Sequence, residues 1–429
     1  MTTPRRLPAS FLRALLIALL LAVAVGLPLP TRAAAMSVAQ SGATEHFPQG
    51  FTFTLTADAP AGFKQVQLLY TTAGEETLNL ALPPFSPGPH IQISYPLDLQ
   101  TNYLPPGVDL TYHWRLTDSA GNVLETPPQS VLWEDTRFNW SSVHTSQVTV
   151  YTYAGDADFA NYMLNMSQQT IDKLQPLYGV SHSRPIRIWV YNSTQDFAGS
   201  QAPNSETWIA GASYPGLYLV LAIIPDGNKS EAGRIIPHET SHQVLFQATQ
   251  NPFNLTPTWL DEGLAVSNQL TGTAGMAATV QEAAAQGRLF SIRALNSAFP
   301  YDPNDATLAY AESLSIVTFI NHHFGPAKMA ALIAVYRQGV SYEQAIQEAL
   351  GVTQAQLDQE WKASLGYKGD SGTSGGLASD RHGGSPIFGD GALGDLASGA
   401  LIMAVVALLG VAGGLFALRR VRHPSSDLQ

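Results

Sequence analysis

Short runs in which apolar and polar residues alternate begin near Phe47 and continue to Asp135: Phe51 to Leu55, Gln65 to Tyr70, His90 to Tyr95, Leu110 to Leu116 and Ser130 to Trp133. A period of two turns one side of a strand to a core and the other to water. The separators are turn formers, among them Pro105-Pro106-Gly107 and Ser119-Ala120-Gly121-Asn122, and no helix-period stretch interrupts the series. Residues 36–145 are therefore expected to form an all-β sandwich of immunoglobulin-like or fibronectin-like type. Nothing in that region has the character of a catalytic site.

The pattern changes at about Val148. A strand to Tyr153 is followed by a helix from about Asp158 to Leu177, and Pro185 to Tyr191 and Leu217 to Ile224 are rich in the β-branched and aromatic residues that strands favour. Helical periodicity then dominates: Ile235 to Thr249, Thr258 to Leu270, Ala274 to Gln286, Asp305 to Phe324, Ala327 to Tyr336, Tyr342 to Leu350 and Thr353 to Leu365. Strands first and helices after predict an α+β domain over 146–367. Leu217 to Ile224 can be read as an edge strand open to an extended peptide, or as a buried strand with no such contact.

The two ends read differently. Arg5, Arg6 and Arg13, an apolar run from Leu12 to Val25, and Ala33-Ala34-Ala35 have the layout of a secretory signal over 1–35. Residues 368–398 are rich in Gly, Ser and Asp, the composition of a flexible linker. Gly399 to Leu418 carry no charge and, at about 1.5 Å per residue, are long enough for one transmembrane helix. Arg419, Arg420 and Arg422 open the tail 419–429, and basic flanks stay in the cytoplasm, which would leave the N-terminal bulk outside the cell. A sorting tail removed after export fits the same residues.

Composition narrows the chemistry. With 45% hydrophobic and 13% charged residues in 429, the chain has material for more than one core. It has no cysteine, so a metal would have to be held by His, Asp or Glu. Net charge is formally −11; with the arginines of the two ends and Asp427 set aside, 15 basic residues face 32 acidic ones. Such a surface disfavours nucleic acid as a partner.

Within the helix expected from Ile235, Pro237-His238-Glu239-Thr240-Ser241-His242 contains His-Glu-x-x-His. Residues four apart on a helix differ by about 40°, so both imidazoles leave one face and can share an ion, with Glu239 placed to act as a base. Twenty positions after His242, Pro257-Thr258-Trp259-Leu260-Asp261-Glu262-Gly263-Leu264-Ala265 offers an acid on a separate helix. Two imidazoles and one carboxylate are the ligand set of an open catalytic zinc site, whereas a closed structural site more often has four protein ligands. Taken singly, the same residues are core histidines and a surface carboxylate, and only their joint spacing argues for a metal. Pro237 forfeits a backbone hydrogen bond beside His238, so the helix is expected to start close by or to kink there.

These motifs resemble the gluzincin metallopeptidases, in particular bacterial peptidase MA-like domains, over roughly Val148 to Tyr367. Further points of resemblance are Ala309-Tyr310-Ala311-Glu312-Ser313-Leu314-Ser315 and Gly339-Val340-Ser341-Tyr342-Glu343-Gln344-Ala345. The resemblance implies a zincin-like, thermolysin-like fold, Zn2+ held by His238, His242 and Glu262, Glu239 as general base, Tyr310 steadying the oxyanion, and a peptide or protein substrate. His322 and His323 are alternative donors, though they sit at an expected helix C-terminus, which favours positive charge. Val266 stands where some gluzincins carry an acid that orients a metal-bound histidine, which leaves that support unassigned. A rival reading is a surface adhesion protein with a relic zincin domain, against which the presence of Glu239 argues.

Overall fold

The computed structural model describes residues 35–73, 77–180, 184–202 and 211–367. The expected signal (save its last residue), the linker, the expected membrane span and the tail lie outside these. Among the described residues no helix is long and apolar enough to cross a membrane.

Two antiparallel sheets build the N-terminal region. One has the order β1 (Ser37–His46), β2 (Gly50–Asp58), β5 (His90–Asp98); the other runs β4 (Asn79–Ala81), β3 (Phe63–Thr72), β6 (Val108–Asp118), β7 (Val123–Glu125), with β8 (Gln129–Trp133) also paired to β6. Alternation is regular along β6, where Leu110, Tyr112, Trp114 and Leu116 point inward against Phe51, Phe53 and Leu55 of β2. Sequence periodicity missed β1, whose residues are all at least partly exposed and which is held as an edge by its pairing with β2.

A third sheet has the order β12-β13-β11-β10-β9, made of β9 (Ser141–His144), β10 (Val148–Thr152), β11 (Ile186–Tyr191), β12 (Gly211–Tyr214) and β13 (Leu219–Ile223). Strands β10, β11 and β13 are parallel; β9 and β12 run antiparallel at the two edges. One expectation changes here, and of the two readings of 217–224 the buried strand is the one observed. Strand β9 falls inside 36–145 yet belongs to this sheet, because Thr145 Oγ1 accepts the Gln147 and Val148 amides and turns β9 back onto β10. The 217–224 segment is an inner strand, flanked by β11 and β12, and the edge is β12.

Helix α1 (Ala157–Tyr178) is the crossover between β10 and β11; Asp156 caps its N-terminus and Gly179 its C-terminus. A short α2 (Thr194–Ala198) precedes α3 (Lys229–Thr249), and α4 (Thr258–Asn268), α5 (Met276–Ala285), α6 (Pro303–His323), α7 (Pro326–Tyr336), α8 (Tyr342–Leu350) and α9 (Gln354–Ser364) follow. Helix α3 is buried on every side from Ala232 to Leu245, the condition of a helix at the centre of a domain. It neither starts at Pro237 nor ends there. The carbonyl of Gly233, which loses its intrahelical donor to the proline, accepts the Leu270 amide at 2.9 Å instead.

Both faces of this third sheet are covered. Ile186, Ile188 and Val190 of β11 face the helices, while Trp189 and Tyr191 face the sandwich. On that side Tyr151 stacks on Trp189 at 4.1 Å, Phe138 on Tyr153 at 4.0 Å, and Trp140 meets Trp189 edge-on. Val108 of the sandwich is buried in the same cluster. Arg187 bridges to Asp109 and to the Gly107 carbonyl. Gly107 has φ +103°, and a Cβ there would press into the Trp189 indole, so the two regions meet by close packing.

Candidate metal centre

Because α3 stays helical through Pro237, His238 and His242 project together; their rings meet edge to face at 4.7 Å and their Nε2 atoms lie 3.1 Å apart. Helix α4 folds back beside α3 and places Glu262 Oε2 at 3.4 Å from His238 Nε2 and 3.6 Å from His242 Nε2. One donor atom from each lies within 4.8 Å of the others, and the residues are 3%, 1% and 2% exposed. Glu262 Oε2 and Glu239 Oε2 have no hydrogen-bond partner. Two buried, convergent imidazoles and a carboxylate whose Oε2 meets no donor fit a divalent cation of the kind that nitrogen and oxygen ligands take.

Electrostatics record the same crowding. Burial first, then the neighbouring His242, drives His238 down to about 3. For His242 burial acts downward, but the carboxylates of Asp261 and Glu262 outweigh it and lift the ring to about 10. Burial raises Glu262 to about 7 and also raises Glu239. One imidazole thus takes up the charge that the buried acids demand, a part that a bound cation would fill.

The far nitrogens of both rings are held. Asp261 Oδ1 lies 2.6 Å from His242 Nδ1, and the side-chain amide of Gln269 lies 2.9 Å from His238 Nδ1. Sequence reasoning missed both. Asp261 was legible, since it adjoins Glu262 in the same helical turn; Gln269 stands just past the end of α4, where no periodicity singles it out.

Tyr310 comes from α6, is 4% exposed, and hydrogen-bonds the Glu262 carboxylate, while Phe299 packs edge-on against its ring at 5.0 Å. Burial, followed by Glu262 and Glu239, raises its hydroxyl well above the usual phenol range. Helices α4 and α6 approach closely because residue 263 is glycine; a Cβ there would strike the Ser313 carbonyl. His322 and His323 are not brought to the centre. They end α6, where His323 stacks on Phe319 at 5.0 Å and faces Glu360 at 3.7 Å.

The edge strand lies alongside. Gln243 of α3 donates to Ser213 Oγ and to the Leu219 carbonyl, tying helix to sheet. A Cβ at Gly211 would stand 3.0 Å from Glu239 Oε1, so β12 passes directly beside that carboxylate.

With this geometry in view, known proteins add the following. No curated protein matches the chain. Among solved structures, the crystal structure of a carbohydrate-binding module family 56 β-1,3-glucan binding domain aligns at 12% identity over 23% of this chain and 99% of that one, with a TM-score of 0.15, too low to carry any argument. A family model described as the peptidase MA superfamily matches residues 166–367, which span α3, α4 and α6. That segment, with its His-Glu-x-x-His helix and following glutamate, is similar to the peptidase MA superfamily.

Proposed function

We propose that this protein is a zinc-dependent peptidase, with His238, His242 and Glu262 holding the metal, Glu239 as general base and Tyr310 as a hydrogen-bond donor to the reacting carbonyl oxygen. The observation that carries this reading is the convergence of two imidazoles and one carboxylate beside a further glutamate that hydrogen-bonds to nothing through Oε2. A Zn2+ ion bound there supplies Lewis acidity to a carbonyl and lowers the proton affinity of water.

Glu239 is adjacent to the first imidazole and desolvated, a setting that favours its taking a proton. It accepts one from the attacking water and returns it to the departing amine. Tyr310 donates its hydroxyl to Glu262 before substrate arrives and can turn to an oxygen that gains negative charge. Asp261 accepts from His242 Nδ1, which fixes the tautomer that leaves Nε2 with a lone pair.

The reading extends to the rest of the chain as an immunoglobulin-like sandwich ahead of a thermolysin-like domain, exported by residues 1–35 and held at the cell surface by 399–418. The support for placement is the uncharged 20-residue stretch followed by three arginines. Membrane fractions of cells making the full chain should retain it after alkaline washing and release a version ending at 398. Equal release of both would remove the anchor from the reading.

The function itself is tested on the purified full chain by metal analysis and digestion of a peptide mixture. About one Zn2+ per chain and hydrolysis that chelator stops and Zn2+ restores are expected. A chain that holds Zn2+ and cleaves no peptide would return the domain to a binding role.

A further inference from the structure

The last residue of α4 and the chain just beyond it are sewn to α3 around Pro237. Asn268 Nδ2 donates to Ser241 Oγ at 3.2 Å. Gln269 Nε2 lies 2.9 Å from His238 Nδ1. The Leu270 amide donates to the Gly233 carbonyl at 2.9 Å, and Thr271 Oγ1 donates to the Ser230 carbonyl at 2.7 Å. These contacts follow one another along both segments, so the strap runs antiparallel to the helix for three turns. Its middle lies over the proline.

A proline at 237 frees the Gly233 carbonyl and pushes its ring towards the preceding turn, which loosens the turn that carries His238. In an isolated helix that would leave the first imidazole free to swing. The Leu270 amide occupies the freed carbonyl, and in doing so fixes the backbone of residue 270 against the helix. Gln269, one residue earlier, is thereby set opposite His238. We propose that residues 269–271 form a clip that replaces the hydrogen bond lost at Pro237, and that Gln269 is the positioning residue for His238. This rests on the metal-site reading given above.

The chemistry suits an amide. If Nε2 of His238 is to offer its lone pair, Nδ1 must carry the proton and donate it. In the structure the amide presents Nε2, a donor, to Nδ1, and a half turn about its last bond brings Oε1 there to accept. It therefore meets the ring in either tautomer while adding no charge to a centre that already holds Glu239, Asp261 and Glu262. The two imidazoles are supported unequally, His242 by a carboxylate and His238 by a neutral amide.

Three full-length variants test this. Gln269→Met keeps the volume and removes the acceptor; Gln269→Glu keeps an acceptor at the same reach; Thr271→Val removes only the outer stitch. Zn2+ affinity, read by competition with a chromophoric chelator, should fall about 10- to 100-fold in Gln269→Met, the usual cost of losing such a partner. It should stay within about threefold of the native value in Gln269→Glu and Thr271→Val. The visible spectrum of the Co2+ form should change only in Gln269→Met. Equal losses in the Met and Glu variants, or none in either, would overturn the assignment. If the native chain bound no Zn2+, the peptidase reading would fail by itself. The clip would still be read from nitrogen–proton correlation spectra of the metal-free protein, with His238 as the Nδ1–H tautomer in the native chain and a mixture in Gln269→Met. A mixture in both would refute it.

Discussion

Asp118 in the sandwich and Glu239, Glu262 and Glu312 in the helical region are all buried acids, yet the protein treats them in opposite ways. Asp118 sits at a hairpin turn, where Asn122 donates from both side chain and backbone and Ala120 from its amide; these bonds, the Asn122 side chain first, hold its carboxyl below the usual range. Each of the three glutamates has an Oε2 without a hydrogen-bond partner, and burial raises all three. A turn acid is satisfied by its own loop and stabilises it. Acids left short of donors at the centre of a domain cost stability, and such costs concentrate where a ligand or a reaction makes use of them.

The contrast can be broken most severely at Glu239. Glu239→Gln should lower peptide hydrolysis by about 10²- to 10⁴-fold, the range for loss of general acid–base catalysis, with Zn2+ content unchanged. Steady-state kinetics beside metal analysis checks it, and full activity in that variant would remove the base from its role. Removing the metal should sharpen the same contrast. Stripping Zn2+ with chelator is expected to destabilise the helical region by about 4 kcal/mol relative to protein at a thousandfold excess over Kd, seen as a lower melting temperature that Zn2+ restores. The Asp118 turn offers no such response.

Smaller effects follow from packing. Gly263→Ala should cost about 1–3 kcal/mol in denaturant unfolding, because the added methyl meets the Ser313 carbonyl and has to push α6 aside. Activity should fall further than stability, since Tyr310 rides on the displaced helix. The mildest test lies at the junction of the two regions. Burial first, with Glu134 and Asp135 adding, pushes Glu45 up to about 7, while its Oε1 accepts the Glu134 amide. Between about 4.5 and 7 the folded chain holds a proton that the unfolded chain has released, so this group's contribution to stability declines as pH rises through that window. Glu45→Gln keeps the acceptor and should flatten the decline in melting temperature measured across those pH values.

How much of this was legible depended on whether the signal was periodic or spatial. Helices α3, α4 and α6 were visible as apolar repeats, and the spacing of His238, His242 and Glu262 announced a shared centre. Strand β1 was not visible, because an edge strand with exposed side chains carries little alternation. Strand β12 was missed for a related reason: Gly211–Tyr214 is four residues long, and what marks it is contact with β13 and Glu239. Pro237 read as a break because the rule concerns a helix alone, while the compensating donor, Leu270, lies 33 positions on and is brought back by a turn that no local pattern describes. Gln269 was invisible on the same grounds.

The rings of Trp140, Tyr151, Tyr153, Trp189 and Tyr191 carry a practical consequence for anyone dividing this chain. A fragment starting at Ser141 would keep every candidate ligand but lose Trp140 and the sandwich, and would present Trp189 and Tyr151 to solvent as a sticky sheet. Such a fragment should be recovered as aggregates. The boundary seen in the sequence marks a change of pattern along the chain, while the aromatic packing runs across it and joins the two halves.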